Sequence, residues 1–127
     1  MTDGDDSWRS FRGLRVWQEA IALSKEVRGF ARQLPRCELS LAAQLRGAAR
    51  SIHANIAEGS GRATRADYLR FLYFSRGSLQ ELESDIEELA DTGLATPVQI
   101  ASLRTRIRHT GRLLLALIAR LEQPPKT

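Results

Sequence analysis

Apolar positions recur every three or four residues along four stretches of the chain, and the residues between them supply helix starts and stops. From Leu14 to Leu34, apolar or small residues fall at Trp17, Ala20, Ile21, Ser24, Val27, Ala31 and Leu34. That is one face of a helix, and Pro35 ends it. Ser40 is placed to cap a second helix carrying Leu41, Leu45, Ala48, Ala49, Ile52 and Ile56, which Gly59-Ser60-Gly61 breaks. Thr64-Arg65-Ala66-Asp67 has the form of a capping box ahead of a third helix, with Leu72, Ser75, Leu79, Leu82, Ile86 and Leu89 on its ridge and a close at Gly93. Thr96-Pro97-Val98-Gln99 combines an N-cap, a Pro at the first helical position and a capping Gln. The fourth helix then runs through Ile100, Leu103, Ile107, Thr110, Leu114, Leu117 and Leu121 until Pro124-Pro125. No stretch alternates with period two for long enough to form a strand. Connections this short make neighbours antiparallel, so the expected fold is all-α, an up-down-up-down four-helix bundle. It would occupy residues 11–123, between a flexible N-terminal tail (1–10) and a C-terminal tail (124–127).

Two stretches, Tyr68–Phe74 and Leu113–Ile118, are apolar over more than one helical face, whereas a bundle helix buries a stripe only ~100° wide. The surplus implies either a wide core contact or a subunit interface. A homo-oligomer joined through Tyr68, Tyr73, Phe74, Leu113, Leu115 and Ile118 is the expected outcome, because exposed apolar patches seldom stay unpaired. Gly77 stands in the middle of the third helix at a cost of about 1 kcal/mol against Ala, which suggests a close helix crossing against Ala48-Ala49. Asn55, Glu58, Arg76 and Glu81 flank the apolar ridges of helices two and three. A polar network that fixes helix register is expected of them, ahead of any catalytic role.

Composition narrows the function classes. With 127 residues, 43% apolar and 27% charged, the chain is one globular domain rather than a disordered one. No apolar run approaches the ~20 residues of a membrane span, and Met1 to Ser10 is acidic and polar, unlike a secretory leader. A lone cysteine, Cys37, makes neither an internal disulfide nor a thiolate metal site, so a reducing compartment, the cytoplasm, is expected. Neither histidine, His53 or His109, lies three residues after a Glu, as the carboxylate-bridged metals of helical bundles require. No metal, cofactor or membrane partner is expected.

The net charge of +4 is unevenly spread, and all but two of the cations are Arg. Residues 81–91 hold Glu81, Glu83, Asp85, Glu87, Glu88 and Asp91 with no cation, whereas Arg104, Arg108 and Arg112 repeat at four-residue spacing on the fourth helix. In an antiparallel hairpin Arg104 falls opposite Asp85 and Arg108 opposite Glu81, so these charges are expected to pair internally. Helix two differs. Arg46, Arg50 and His53 share one face, and Arg62, Arg65 and Arg70 follow around the Gly turn with only Glu58 and Asp67 nearby. This is the surface expected to bind a polyanion. Two further spacings, Arg46-x6-His53 and Arg104-x4-His109, resemble the Arg-x4-6-His signature of the HEPN ribonucleases, in which Arg stabilises phosphate charge and His acts as acid or base. The residue after that Arg is often Asn, His or Asp in those enzymes, a pattern from which Thr105 and Gly47 depart, and a chain this rich in Arg produces such spacings readily by chance. A ribonuclease using Arg104 and His109 is the alternative reading, and a purely structural oligomer without a polyanion ligand is another.

One longer pattern is specific. Phe11, Leu14 and Val16-Trp17, then Gln44-Leu45-Arg46-x-Ala48-Ala49-x-Ser51-Ile52-x-x-Asn55-Ile56-Ala57-Glu58-Gly59-x-Gly61-Arg62, resemble the four-helix-bundle proteins encoded in intervening sequences of bacterial 23S ribosomal RNA genes. Tyr68-x-x-Phe71-Leu72, Gly77-Ser78 and Glu81-Leu82-Glu83 continue the match over about residues 11–121. Gly47 stands where a second Arg is common and Arg76 where a small residue is common. The resemblance implies a four-helix bundle assembling as a ring-like homopentamer with no established catalytic residues. A related branch, the accessory variability proteins of diversity-generating retroelements, implies RNA and a reverse transcriptase as partners of a basic surface. The expected function is therefore a non-enzymatic oligomeric module that binds nucleic acid, structured RNA above all, and scaffolds a protein partner.

Overall fold

Four long helices form where the apolar spacing places them: α1 (Arg15–Arg32), α2 (Leu39–Ser60), α3 (Arg65–Leu89) and α4 (Pro97–Glu122). The computed structural model describes residues 10–124, and apart from Ser10 and Pro124 both predicted tails lie outside the described residues. Helix α1 packs on α2 and α4, and α3 packs on the same two, so the helices ring a single core in chain order. Leu45, Ile52, Leu72, Leu82, Ile86, Leu103 and Leu114 close that core almost completely to solvent. Each comes from the ridge of three- and four-residue spacings in its helix.

The helix ends show which local signals act alone. Thr96 Oγ1 accepts from the Gln99 amide (3.1 Å) and Gln99 Oε1 accepts from the Thr96 amide (2.9 Å), a complete capping box. At α3 only half the box forms. Thr64 Oγ1 accepts from the Asp67 amide (3.1 Å), but the Asp67 carboxylate turns to Arg62 and Arg70. Ser40 caps nothing: Pro35 leads into a 3-10 turn, Arg36–Glu38, that feeds directly into α2 at Leu39. Helix α3 stops at Leu89, and the turn to α4 uses Asp91 (φ 70°) and Gly93 (φ 83°) in the left-handed region.

Helix α2 ends within the Gly59-Ser60-Gly61 segment as expected, running through Gly59 to Ser60 with Gly61 as its C-cap. A Cβ on Gly59 would lie 2.9 Å from the Phe71 Cβ and 3.1 Å from the Tyr68 carbonyl oxygen, so this glycine lets α3 approach. Gly77 marks no crossing, for a Cβ there meets open space.

The apolar surplus is mostly absorbed. Ile118, expected at a subunit interface, is buried in the core, and Tyr68 and Leu113 are partly buried against it. Tyr73, Phe74 and Leu115 remain exposed, at 42%, 48% and 48%. Tyr73 and Leu115 face the groove between α3 and α4, where the Tyr73 hydroxyl donates to Glu122. Phe74 points to the α2 side of α3.

The register of α2 against α3 is held by different polar groups from those expected. Ser75 Oγ donates to the Ile52 carbonyl (2.7 Å) and Ser78 Oγ bonds Ser51 Oγ (2.8 Å). Asn55 Nδ2 donates to the Ser51 carbonyl (2.8 Å) and to Ser51 Oγ (3.0 Å). Asn55 thus belongs to the network, whereas Glu58, Arg76 and Glu81 are exposed and lie outside it. Short hydroxyls fit between close-packed helices; long charged side chains reach past them to water.

Candidate nucleic-acid interface

Each helix divides its charges between flanks, and the division decides which cations are available to a ligand. On α4 the expected partners are shifted. Arg104 makes a two-point ion pair with Glu87 at 2.6 Å, not with Asp85. Glu87 is on the flank of α3 that meets α4, while Asp85 is on the flank toward α2, where burial first, then the charges of Glu81 and Glu88, raises its carboxyl pKa. The Arg104 contact holds the exposed Glu87 carboxyl below its ordinary pKa. Arg108 forms no ion pair with Glu81.

The opposite flank of α4 meets α1. Arg106 donates to Glu26 (2.9 Å) and Glu19 (3.3 Å), Ser102 Oγ donates to Glu26 (2.7 Å), and His109 Nε2 lies 3.9 Å from Glu19. Glu19, Ser102, Arg106 and His109 line a shallow groove of about 670 Å³. Arg104 and His109, the pair of the ribonuclease alternative, therefore sit on opposite flanks of one helix, each engaged with a different neighbour.

The cations after the glycine turn are also engaged. Arg62 approaches Asp67 (3.6 Å) and Glu58 (3.8 Å), Arg70 pairs with Asp67 at 3.0 Å, and Arg65 donates to the Gln123 carbonyl (3.0 Å). These three, expected to extend the polyanion surface, have their donors partly occupied within the fold.

The flank of α2 that meets α1 is different. Arg46, Arg50 and His53 recur there at spacings of four and three, and Arg28 of α1 faces His53 across the seam. Burial first, then the charges of Arg50 and Arg28, lowers the His53 pKa. Because α1 and α2 are antiparallel, Arg32, one turn past Arg28, and Arg46, one turn before Arg50, extend the cluster in the same direction. Lys25 adds a further cation one turn before Arg28. Among the described residues, none of these side chains forms an ion pair. Sequence reasoning missed the α1 half, because residues 1–35 are nearly neutral in sum. The signal was present in the spacing: Lys25, Arg28 and Arg32 fall at intervals of three and four, while Glu19 and Glu26, seven apart, fall on the other flank.

By architecture the protein is an antiparallel four-helix bundle whose α1/α2 seam carries a basic cluster without ion pairs among the described residues. The chain belongs to the 23S rRNA-intervening sequence protein family, whose model matches residues 12–116. Its fold is similar to that of a protein of unknown function from the S23 ribosomal protein family of Bacteroides thetaiotaomicron, with a TM-score of 0.77 at 24% identity. That match covers 81% of this chain and 97% of the other. No curated protein matches the chain. Among the described residues no helix is long and apolar enough to cross a membrane, and no group of His, Cys, Asp and Glu is arranged to hold a metal ion.

Proposed function

We propose that the protein is a non-enzymatic module that binds RNA through the α1/α2 seam. The observation that carries this reading is the clustering at the α1/α2 seam: Arg28 and Arg50, neither in an ion pair among the described residues, face a partly buried imidazole, with Arg46 one turn further along α2, whereas Arg62, Arg65, Arg70, Arg104 and Arg106 have carboxylate or carbonyl partners. Like charges held together repel, and phosphate is the ligand that relieves this repulsion while matching the planar donor fork of Arg. Arg–phosphate contacts release counterions, so the affinity for RNA falls linearly in logarithm with salt, by about 0.7 of a decade per contact for a single strand. The test is a salt titration with a fluorescent RNA oligonucleotide. A slope near zero, or no binding at low salt, contradicts the assignment.

The same reading includes self-association. Leu115 lines a cavity of about 300 Å³ at the α3/α4 groove together with Arg76, Gln80 and Arg108, and the exposed Tyr73 adds apolar surface on the same side of α3. A second copy of the chain is the occupant proposed, and a homopentamer is the assembly the family resemblance implies. Light scattering is expected to return a mass several times 14.2 kDa; a monomer mass at micromolar concentration removes this part of the proposal. A reverse transcriptase or other protein would dock on the assembled particle.

A further inference from the structure

The corner between α2 and α3 carries an exposed aromatic cluster framed by guanidinium groups. Phe74 stands edge-on to Phe71 with ring centroids 5.6 Å apart and an interplanar angle of 87°. Arg62 lies over the Phe71 ring (4.6 Å from its centroid), and Arg70 lies between the rings, 5.0 Å from Phe71 and 5.7 Å from Phe74. Asp67 holds both guanidiniums in these positions. Phe71 is partly buried against the Gly59 approach, so it anchors the cluster, and Phe74 offers an open ring.

The position of this cluster is fixed relative to the basic seam. Ser75 bonds the Ile52 carbonyl, so the residue before it, Phe74, sits level with the turn of α2 that carries His53. Phe74 is on the α3 flank of α2 and the Arg28–Arg50–His53 cluster is on its α1 flank. The separation is about one helix diameter, ~10 Å, across the small side chain of Ala54. A polyanion whose bases are free to turn away from its phosphates can occupy both flanks at once. A duplex cannot, because its bases are paired and stacked inside.

We infer that the ligand is an unpaired stretch of RNA lying across α2, with phosphates on Arg28, Arg50 and His53 and one base stacked on Phe74 between the flanking arginines. This rests on the RNA-binding reading above and specifies its substrate class. Stacking on an aromatic ring is tolerant of base identity, so the preference is for single strands over duplexes and not for a particular sequence.

The experiment compares a fluorescent mixed-sequence single-stranded RNA with a blunt duplex of equal length, by anisotropy, for the wild type, Phe74→Leu and Phe74→Trp. Leu keeps apolar bulk without a π face, and Trp keeps the face; at an exposed position neither threatens the fold, which circular dichroism checks. Wild type is expected to bind the single strand more tightly. Phe74→Leu is expected to lose about tenfold on the single strand and little on the duplex, and Phe74→Trp to restore binding. Equal or tighter duplex binding, or single-strand affinity unchanged in Phe74→Leu, overturns the platform while leaving the basic seam intact. Binding of neither RNA overturns both. Light scattering on the same variants supplies the remaining outcome: loss of assembly in Phe74→Leu, with RNA affinity falling only as the particle dissociates, assigns Phe74 to a subunit contact and overturns the inference.

Discussion

Replacing Arg28, Arg46 and Arg50 together by Gln lowers RNA affinity about a hundredfold at 0.1 M salt while the helical circular dichroism stays unchanged. The magnitude follows from counterion release: three lost contacts at about 0.7 of a decade each remove about two decades at 0.1 M relative to 1 M salt. The slope of log K against log salt falls by about 2 for the same reason. The fold is expected to survive because these side chains lie at the surface and none supports an ion pair. The matched control is Arg65, Arg104 and Arg106 to Gln, which removes the same formal charge from side chains already engaged with Gln123, Glu87 and Glu26. That control is expected to change the affinity much less. Equal losses in the two triple variants would mean that only net charge matters and that no seam is privileged.

The second large effect concerns stability. Gly59→Ala is expected to destabilise the bundle, read as a lower urea midpoint with an unchanged slope. Alanine in a helix interior ordinarily gains up to about 1 kcal/mol over glycine. Here the added methyl would lie 2.9 Å from the Phe71 Cβ and 3.1 Å from the Tyr68 backbone oxygen. Neither neighbour is a flexible side-chain tip that can swing aside, so the α2–α3 contact must open, at a cost of about 1–3 kcal/mol for overpacking. A net loss of about 1–2 kcal/mol is expected. Gly77→Ala carries the opposite sign: its Cβ meets nothing within 4 Å, so the helix-propensity gain appears undiminished, about 0.5–1 kcal/mol of stabilisation. A Gly59→Ala variant as stable as wild type would remove the close approach from the account.

Those two glycines also show what was legible in the sequence. Helix ridges and the α4 capping box could be read because they depend on residues within one or two turns: Ile100 to Leu121 repeats so regularly that the centre line of its buried face is fixed, though not its width. The tightest interhelical approach could not be read that way, because which glycine needs its missing methyl depends on the residue that faces it from another helix. Gly77, in mid-helix, drew attention from Gly59, which stood near a turn and looked like a breaker. Charge pairing failed for a related reason. Arg104 finds Glu87 rather than Asp85 because the left-handed turn at Asp91 and Gly93 moves the pivot of the hairpin, and because Asp85 sits on the wrong flank of α3. For the candidate site, the α2 half was legible from Arg46, Arg50 and His53. Arg28 was hidden by averaging over a segment whose acids and bases occupy opposite flanks. Ile118 was misassigned because a heptad of core positions does not reveal how wide the buried stripe of α4 is.

The central claim, that the polyanion lies on the α1/α2 seam, has two built-in reporters, since the chain has only two histidines. His53 lies in that seam, and His109 lies in the α1/α4 groove beside Glu19. In the free protein, burial and the charges of Arg50 and Arg28 keep His53 neutral to below its ordinary pKa of 6.5. A bound phosphate offsets those positive charges and stabilises the imidazolium, so the His53 pKa rises on binding. RNA binding is then linked to proton uptake, and affinity increases as pH falls through the interval between the bound and free values. The decisive measurement is the pH titration of the two imidazole proton resonances by NMR, with and without single-stranded RNA. The account predicts that RNA moves the His53 midpoint upward and leaves the His109 resonance unaffected. A response at His109 with none at His53 would contradict it.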